Sequence, residues 1–359
     1  MLHPAGSPMP YPPEVRHLIR KDVRADYVNT ARALSRAVDV VSVQHEYGIW
    51  GGEDGEHVLD FVRALNVPVV ATMHTVLRDP SRGQRSVLAE LAALADASVV
   101  MSQAAADLLI RRYAVEPRRV HVIPHGVPDL PLVESSRVKP SFGLTGRDVI
   151  LSFGLLGPPK GYELMLDAMP AIVADRPKAM YVIVGVTQPE VKARDGEAYR
   201  TSLERRVATL GLRRHVQLVD RFVGRVELTR WLESADVFVT PYHDTYSPSG
   251  ALTYALGAGR AIVSTPYPYA AELLADGRGV VVPFGDPAAL AAEVIGLLGD
   301  AERRLALGAR AYEHGRAMVW TAVSASYREL LGRLAAAVPA SPPEGASPSS
   351  NGSFQPLRA

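Results

Sequence analysis

Cysteine is absent from this 359-residue chain, which rules out disulfides, thiolate metal sites and cysteine nucleophiles and is compatible with a reducing compartment. An excess of charge is missing too. The 39 Lys and Arg residues nearly cancel the 38 Asp and Glu, and a formal net charge of +1 lacks the clustered basic excess of a nucleic-acid binder. No apolar run approaches the roughly 20 residues that cross a bilayer. The start, MLHPAGSPMPYPPEVRH, lacks the basic segment and apolar stretch of a secretory signal. The expected setting is therefore cytoplasmic, with peripheral membrane contact left open. Several motifs are missing as well. There is no D-x-D pair and no helical pair of histidines flanking a glutamate, so neither a catalytic metal nor another cofactor is expected. The absence of G-x-x-x-x-G-K-[ST] excludes a P-loop NTPase, and no G-x-G-x-x-G follows a strand, which weakens a dehydrogenase reading.

What is present is a soluble globular profile, 47% hydrophobic and 21% charged, in a chain long enough for two cores. Short β-branched runs alternate with helical spacing. VDVVSVQ (38–44), VPVVATMH (67–74), ASVVMS (97–102) and VHVIP (120–124) read as buried parallel strands. After a polar stretch the pattern restarts with DVILSFG, AMYVIVG, HVQLVD, ADVFVTPY, RAIVST and GVVVPF. The fold class expected is α/β, with two doubly wound Rossmann-like domains facing a cleft. Residues 1–135 and 136–317 form the two domains. A C-terminal helix (318–335) packs near the cleft, with Trp320, Val323, Tyr327, Leu330 and Leu331 at spacings that suit one face. The Pro-, Ser- and Gly-rich end (336–359) is expected to be a disordered tail.

Candidate site residues lie at strand ends. In SFGLLGPPKGYELMLDAM a strand ends in Gly154, and Lys160 opens a helix, where it either projects toward an anionic ligand or is a plain exposed lysine. Ser249, Gly250 and Ala251 begin another helix after ADVFVTPY. Small residues there let the backbone approach a phosphate, although Ser is more commonly a simple N-cap. His74 follows a strand end and is either catalytic or structural. QHEYGIWGGEDGE, with His45 and Glu46, suits a sugar-binding loop or a plain turn, and His125 and Asp129 in HGVPD line the cleft or cap a turn.

Taken together, VVATMHTV, IPHGV, FGLLGPPKG, ADVFVTPY and the run from ALGAGRAIVST to ELLADGRGVVVPFGDPAALAAEVIGLL resemble the family-4 (group 1) glycosyltransferases over residues 38 to 334. The resemblance implies a GT-B fold and hexosyl transfer from a nucleotide-diphosphate sugar to a carbohydrate or glycoconjugate acceptor. It also implies retention of anomeric configuration and no metal. Carried over, Lys160 matches a diphosphate-binding lysine, and His74 matches a catalytic histidine beside the transferred sugar. Ser249, Gly250 and Ala251 match the phosphate-holding helix start, and Glu272 matches a donor-side glutamate. His45, Glu46 and His125 fall on the acceptor side.

The sequence departs from the family at three positions. Leu155 stands where an arginine is usual, and Tyr246 and Tyr254 replace two glutamates eight positions apart, the second of which generally contacts the donor ribose. Arg221 is the candidate to supply the missing positive charge. The tyrosines keep hydroxyls and either serve a different donor geometry or mark lost activity. Two other readings stay open: a glycoside phosphorylase on the same fold, or a non-catalytic carbohydrate-binding or partner subunit. Family members also open with a strand and a glycine-rich loop, whereas the first convincing strand here is VDVVSVQ. The first domain is therefore expected to lack initial strands and to gain stability and activity when extended upstream.

Overall fold

The computed structural model describes residues 2–3, 11–243 and 248–337. Tyr246 and the tail from residue 338 lie outside the described residues. All ten expected strands form. Two further short strands, β1 (Leu2–His3) and β2 (Ile19–Arg20), pair in parallel as a separate ribbon. β3 (Val41–His45), β4 (Val69–Met73), β5 (Ala97–Val100) and β6 (Val120–Val122) make a parallel sheet in sequential order. The edge of β3 borders an apolar cavity of about 930 Å³ lined by Val15, Ile19, Leu34, Val38, Val41 and Trp50, among others.

The second sheet contains β7 (Asp148–Phe153), β8 (Ala179–Val184), β9 (Val216–Val219), β10 (Val237–Thr240), β11 (Ala261–Ser264) and β12 (Val280–Val281), all parallel, in the order β12-β11-β10-β7-β8-β9. Side chains alternate between its faces, as strand geometry demands. Ile150, Tyr181, Val237 and Val263 enter one core, while Val149, Leu151, Val182, Phe238 and Ile262 enter the other. Burial on both faces explains why these strands read as unbroken apolar runs. The order reverses between β7 and β10, the point at which such a sheet places a ligand site outside the carboxyl ends of its strands.

The last helix, Trp320–Ala336, returns to the first sheet. Val323 and Leu330 pack with Val70, Ala97, Val99 and Ile123, and the Tyr327 hydroxyl lies 3.1 Å from Thr72 Oγ1. Trp320 departs from the expected apolar face and is 47% exposed. The reason is its place at the first turn. A bridge between Val127 and Val319 holds that turn against the loop after β6, and the Trp320 ring sits beside His125 with ring centres 5.7 Å apart. Leu330→Ala, which empties a fully packed position, should cost about 2–4 kcal/mol. The expected readouts are a lower melting temperature and faster amide exchange in β4 and β5. An unchanged melting temperature would show that this contact does not hold the helix.

Candidate active site

The site begins with two loops forced into contact at the sheet's reversal. After β7 the chain runs through a 3-10 turn, Pro158–Lys160, into the helix Tyr162–Asp175. Gly161 between them has φ +59°, and a Cβ there would lie 2.1 Å from the Pro241 carbonyl oxygen of the loop after β10. Only glycine permits that approach. The His243 amide then donates to the Pro159 carbonyl at 3.1 Å, and His243 Nε2 lies 3.0 Å from Glu163 Oε1. The two loops are thus stitched together with Lys160 at the seam. Its ammonium rests 4.0 Å from the centre of the Tyr242 ring, and among the described residues no carboxylate lies within ion-pair range.

Facing Lys160 is the start of the helix Gly250–Gly257. Ser249 is its N-cap, with Oγ accepting the Leu252 amide at 3.2 Å. That cap serves the third amide and leaves those of Gly250 and Ala251 without an acceptor among the described residues. Capping of the third amide therefore leaves the first two free to donate to an incoming acceptor. His125, from the loop after β6, reaches over it. A Cβ on Gly250 would meet His125 Nε2 at 3.2 Å, and the His125 ring lies edge-on to Tyr254 at 6.0 Å. Gly154, Lys160, Ser249, Gly250, Ala251, Tyr254 and His125 share one cavity of about 290 Å³. His125, expected on the acceptor side, thus lines the same space as the donor-side residues. Sequence reading passed over Phe153, Tyr242 and Pro248, which also line it. Their only signal was position, since each sits at a strand end or helix start already singled out.

Two expected donor-side residues lie outside this lining. Arg221 follows β9, the strand at the far edge of the sheet, and is paired with Glu227. The Glu272 carboxylate reaches across to the other domain and accepts the Gln103 and Ala104 amides at 2.8 and 2.9 Å. It caps the N-terminus of the helix Gln103–Tyr113, an end at which carboxylates are favoured.

On the first sheet, His74 follows β4. Its amide donates to the His45 carbonyl at 3.0 Å, and its Nε2 lies 2.8 Å from Gln44 Oε1. Burial, and then the charge of His125, lower its pKa, which keeps the ring neutral near pH 7. Glu46 accepts Thr75 Oγ1 at 2.5 Å and the Tyr47 amide at 3.0 Å, and burial pushes its pKa up, with Glu190 of the second domain adding to the effect. His45 is different. It has no exposed surface, so it presents nothing to the cleft, and among the described residues both ring nitrogens lack partners.

Burial, reinforced by His74, lowers the His45 pKa from 6.5 to about 4. A histidine depressed in the folded state leaves stability intact above pH 6.5 and subtracts from it as pH falls toward 4, because the unfolded chain binds the proton first. The loss amounts to roughly 3 kcal/mol at most. His45→Leu should therefore flatten the decline in melting temperature between pH 6.5 and 4. Parallel pH profiles for the two proteins would mean that the acid sensitivity arises elsewhere.

Comparison with known proteins places this geometry. The family model described as Glycosyltransferase Family 4 matches residues 4–129, and that described as Glycosyl transferases group 1 matches residues 147–300. D-inositol 3-phosphate glycosyltransferase 2 of Catenulispora acidiphila is 31% identical over 291 residues, covering 74% of this chain and 65% of that protein. Phosphatidyl-myo-inositol mannosyltransferase of Mycolicibacterium smegmatis is 29% identical, covering 74% and 64%. The chain thus spans just under two thirds of the length of these relatives. Among solved structures, Anabaena Alr3699/HepE in complex with UDP superposes with a TM-score of 0.71 at 18% identity, covering 86% of this chain and 82% of that one. Sucrose-phosphate synthase from Thermosynechococcus elongatus gives 0.71 at 19% identity, covering 88% and 78%. With both halves matched in order and two parallel-sheet domains facing each other, the chain belongs to the group 1, family-4 glycosyltransferases of GT-B fold.

Proposed function

We propose that this chain transfers a sugar from a nucleotide-diphosphate donor to a carbohydrate or glycoconjugate acceptor, with the diphosphate held between Lys160 and the start of the helix Gly250–Gly257. The observation that carries this reading is a single cavity in which, among the described residues, an ammonium without a carboxylate partner faces two amides that lack acceptors. Every one of these groups donates, so the ligand they suit is an anion. As the bond from the sugar's anomeric carbon to the diphosphate breaks, the electron pair and its charge pass to the leaving group, and these donors stabilise it. His74, on the opposite sheet and close enough to His125 to feel its charge, is the side chain we assign to the sugar. In this reading the chain's own donors supply the positive field, without a metal and with retention of configuration. A cytoplasmic setting belongs to the same proposal. Among the described residues no helix is long and apolar enough to cross a membrane.

The Anabaena structures hold UDP or UDP-glucose, which makes uridine nucleotides the first to test. Thermal-shift screening with UDP, GDP, ADP and inorganic phosphate should single out one diphosphate, since a ligand at 100 times its dissociation constant adds about 2.7 kcal/mol. Stabilisation by phosphate alone would favour a phosphorylase, and no response to any of them would defeat the reading. Lys160→Ala should weaken diphosphate binding by roughly 2–5 kcal/mol in titration calorimetry. Unchanged affinity would place the lysine outside the site. His74→Ala should lower turnover about 10²–10³-fold while nucleotide affinity holds. If turnover per folded molecule survives, His74 is structural.

A further inference from the structure

We propose that His125 is a ligand of the donor's diphosphate and takes up a proton at Nε2 when that diphosphate binds. The inference rests on the donor reading above and extends it to a residue on the opposite domain. Its basis is the geometry of one imidazole. His125 Nδ1 lies 2.8 Å from the Gly126 carbonyl oxygen. A carbonyl only accepts, so Nδ1 carries the hydrogen and neutral His125 presents a lone pair at Nε2. That nitrogen is the atom that lies 3.2 Å from a Gly250 Cβ position, and among the described residues it has no hydrogen-bond partner. Gly250 is thus open toward His125, and the ring shares the cavity with Lys160, Ser249 and Ala251.

The rest of the cavity wall determines what Nε2 must become. Lys160 and the Gly250 and Ala251 amides are all donors, and an anion seated among them turns its oxygens toward Nε2 as well. A lone pair facing an oxyanion repels it, whereas a protonated Nε2 makes a charge-assisted hydrogen bond to it. With Nδ1 already committed to Gly126, Nε2 is the only place the new proton goes, and solvent supplies it. The titratable and charged groups around the ring are His74 after β4, Tyr254 on the helix, and Lys160 and Tyr242 across the cavity. Among the described residues no carboxylate adds to its electrostatics; burial lowers the His125 pKa, and the bond to Gly126 opposes that. The ring is therefore neutral near pH 7 on its own, and the bound phosphate is what changes its charge.

The test is isothermal titration of the nucleoside diphosphate selected by the screen, at pH 7.5 in buffers of different ionisation enthalpy. Net uptake approaching one proton is expected for the diphosphate and none for the bare nucleoside. Diphosphate affinity should tighten toward acid across pH 6–8, by at most about tenfold per unit. In H125Q, which cannot change charge, both the uptake and most of that pH dependence should vanish while nucleoside binding persists. On the unmutated chain, nitrogen-15 NMR of the ten histidines should show one Nε2 signal moving to its protonated position on adding the diphosphate. That measurement stands even if H125Q folds poorly. Binding of the diphosphate without proton uptake, or with the same uptake in H125Q, overturns the role of His125 and leaves the donor reading intact. If no nucleoside diphosphate binds at all, the donor reading fails and this inference fails with it.

Discussion

The site depends on one close contact, the passage of Gly161 against the Pro241 carbonyl. The sheet reverses its strand order between β7 and β10, and at such a point two loops would normally splay apart. Here the missing side chain of Gly161 lets them touch, and the His243 amide fixes them through Pro159. Lys160 immediately precedes that contact and Tyr242 immediately follows it. Their cation–π pairing at 4.0 Å is therefore a consequence of the backbone junction rather than an independent feature. The Ser249 hydroxyl lies 3.4 Å from the Tyr242 hydroxyl, which ties the helix start to the same junction. A side chain at position 161 would displace lysine, tyrosine and helix together.

The electrostatics of the cleft are lopsided in a way that suits an anion. On the second domain the cavity's donors have no counter-charge among the described residues, whereas two other cations are spent. Arg221 is paired with Glu227, and Arg260 is saturated by the carbonyls of Ala258, Glu233, Ala235 and Val133. On the first domain burial keeps His45, His74 and His125 neutral near pH 7, with His125 further lowering His74 and His74 further lowering His45. The net effect is a positive field concentrated at Lys160 and the helix start, with polar but uncharged imidazoles opposite. Glu272 does not dilute this field, because its carboxylate is occupied by two amides of the facing helix.

The central strands were legible because β4, β5, β10 and β11 are buried on both faces, and a parallel strand covered twice has no polar period to blur it. Strand ends also pointed to the cleft, which is why Lys160, Ser249, Gly250 and His125 converge in one cavity. What sequence could not show was which side chains would be claimed by neighbours distant in the chain. Arg221 looked like a free cation until Glu227 was seen beside it, and Glu272 looked like a donor contact until it reached a helix 168 residues away. His45 looked like a loop residue at the cleft, yet its place in the alternation of β3 turns it inward with Val41 and Val43. Trp320 shows the same limit. Helical spacing put it on the packed face, but the bridge at Val127–Val319 determined what the first turn meets.

Gly161 and Gly250 open the site for different physical reasons. Gly161 needs both its positive φ and its lack of a Cβ, so its constraint is intramolecular to one domain. Gly250 adopts ordinary helical backbone, and a Cβ there would only press against His125 Nε2, arriving from the other domain, at 3.2 Å. The first glycine therefore shapes the anion cradle itself, while the second shapes the fit between the cradle and the opposite wall. The lining of this cavity is contributed by both sheets, and the loop that carries His125 is anchored at Val127 to the segment leading into the last helix, which itself packs on the first sheet. In the proposed donor-bound state a ligand on Lys160 and the helix amides would therefore meet the first domain through His125, whose approach is set by the Val127–Val319 junction.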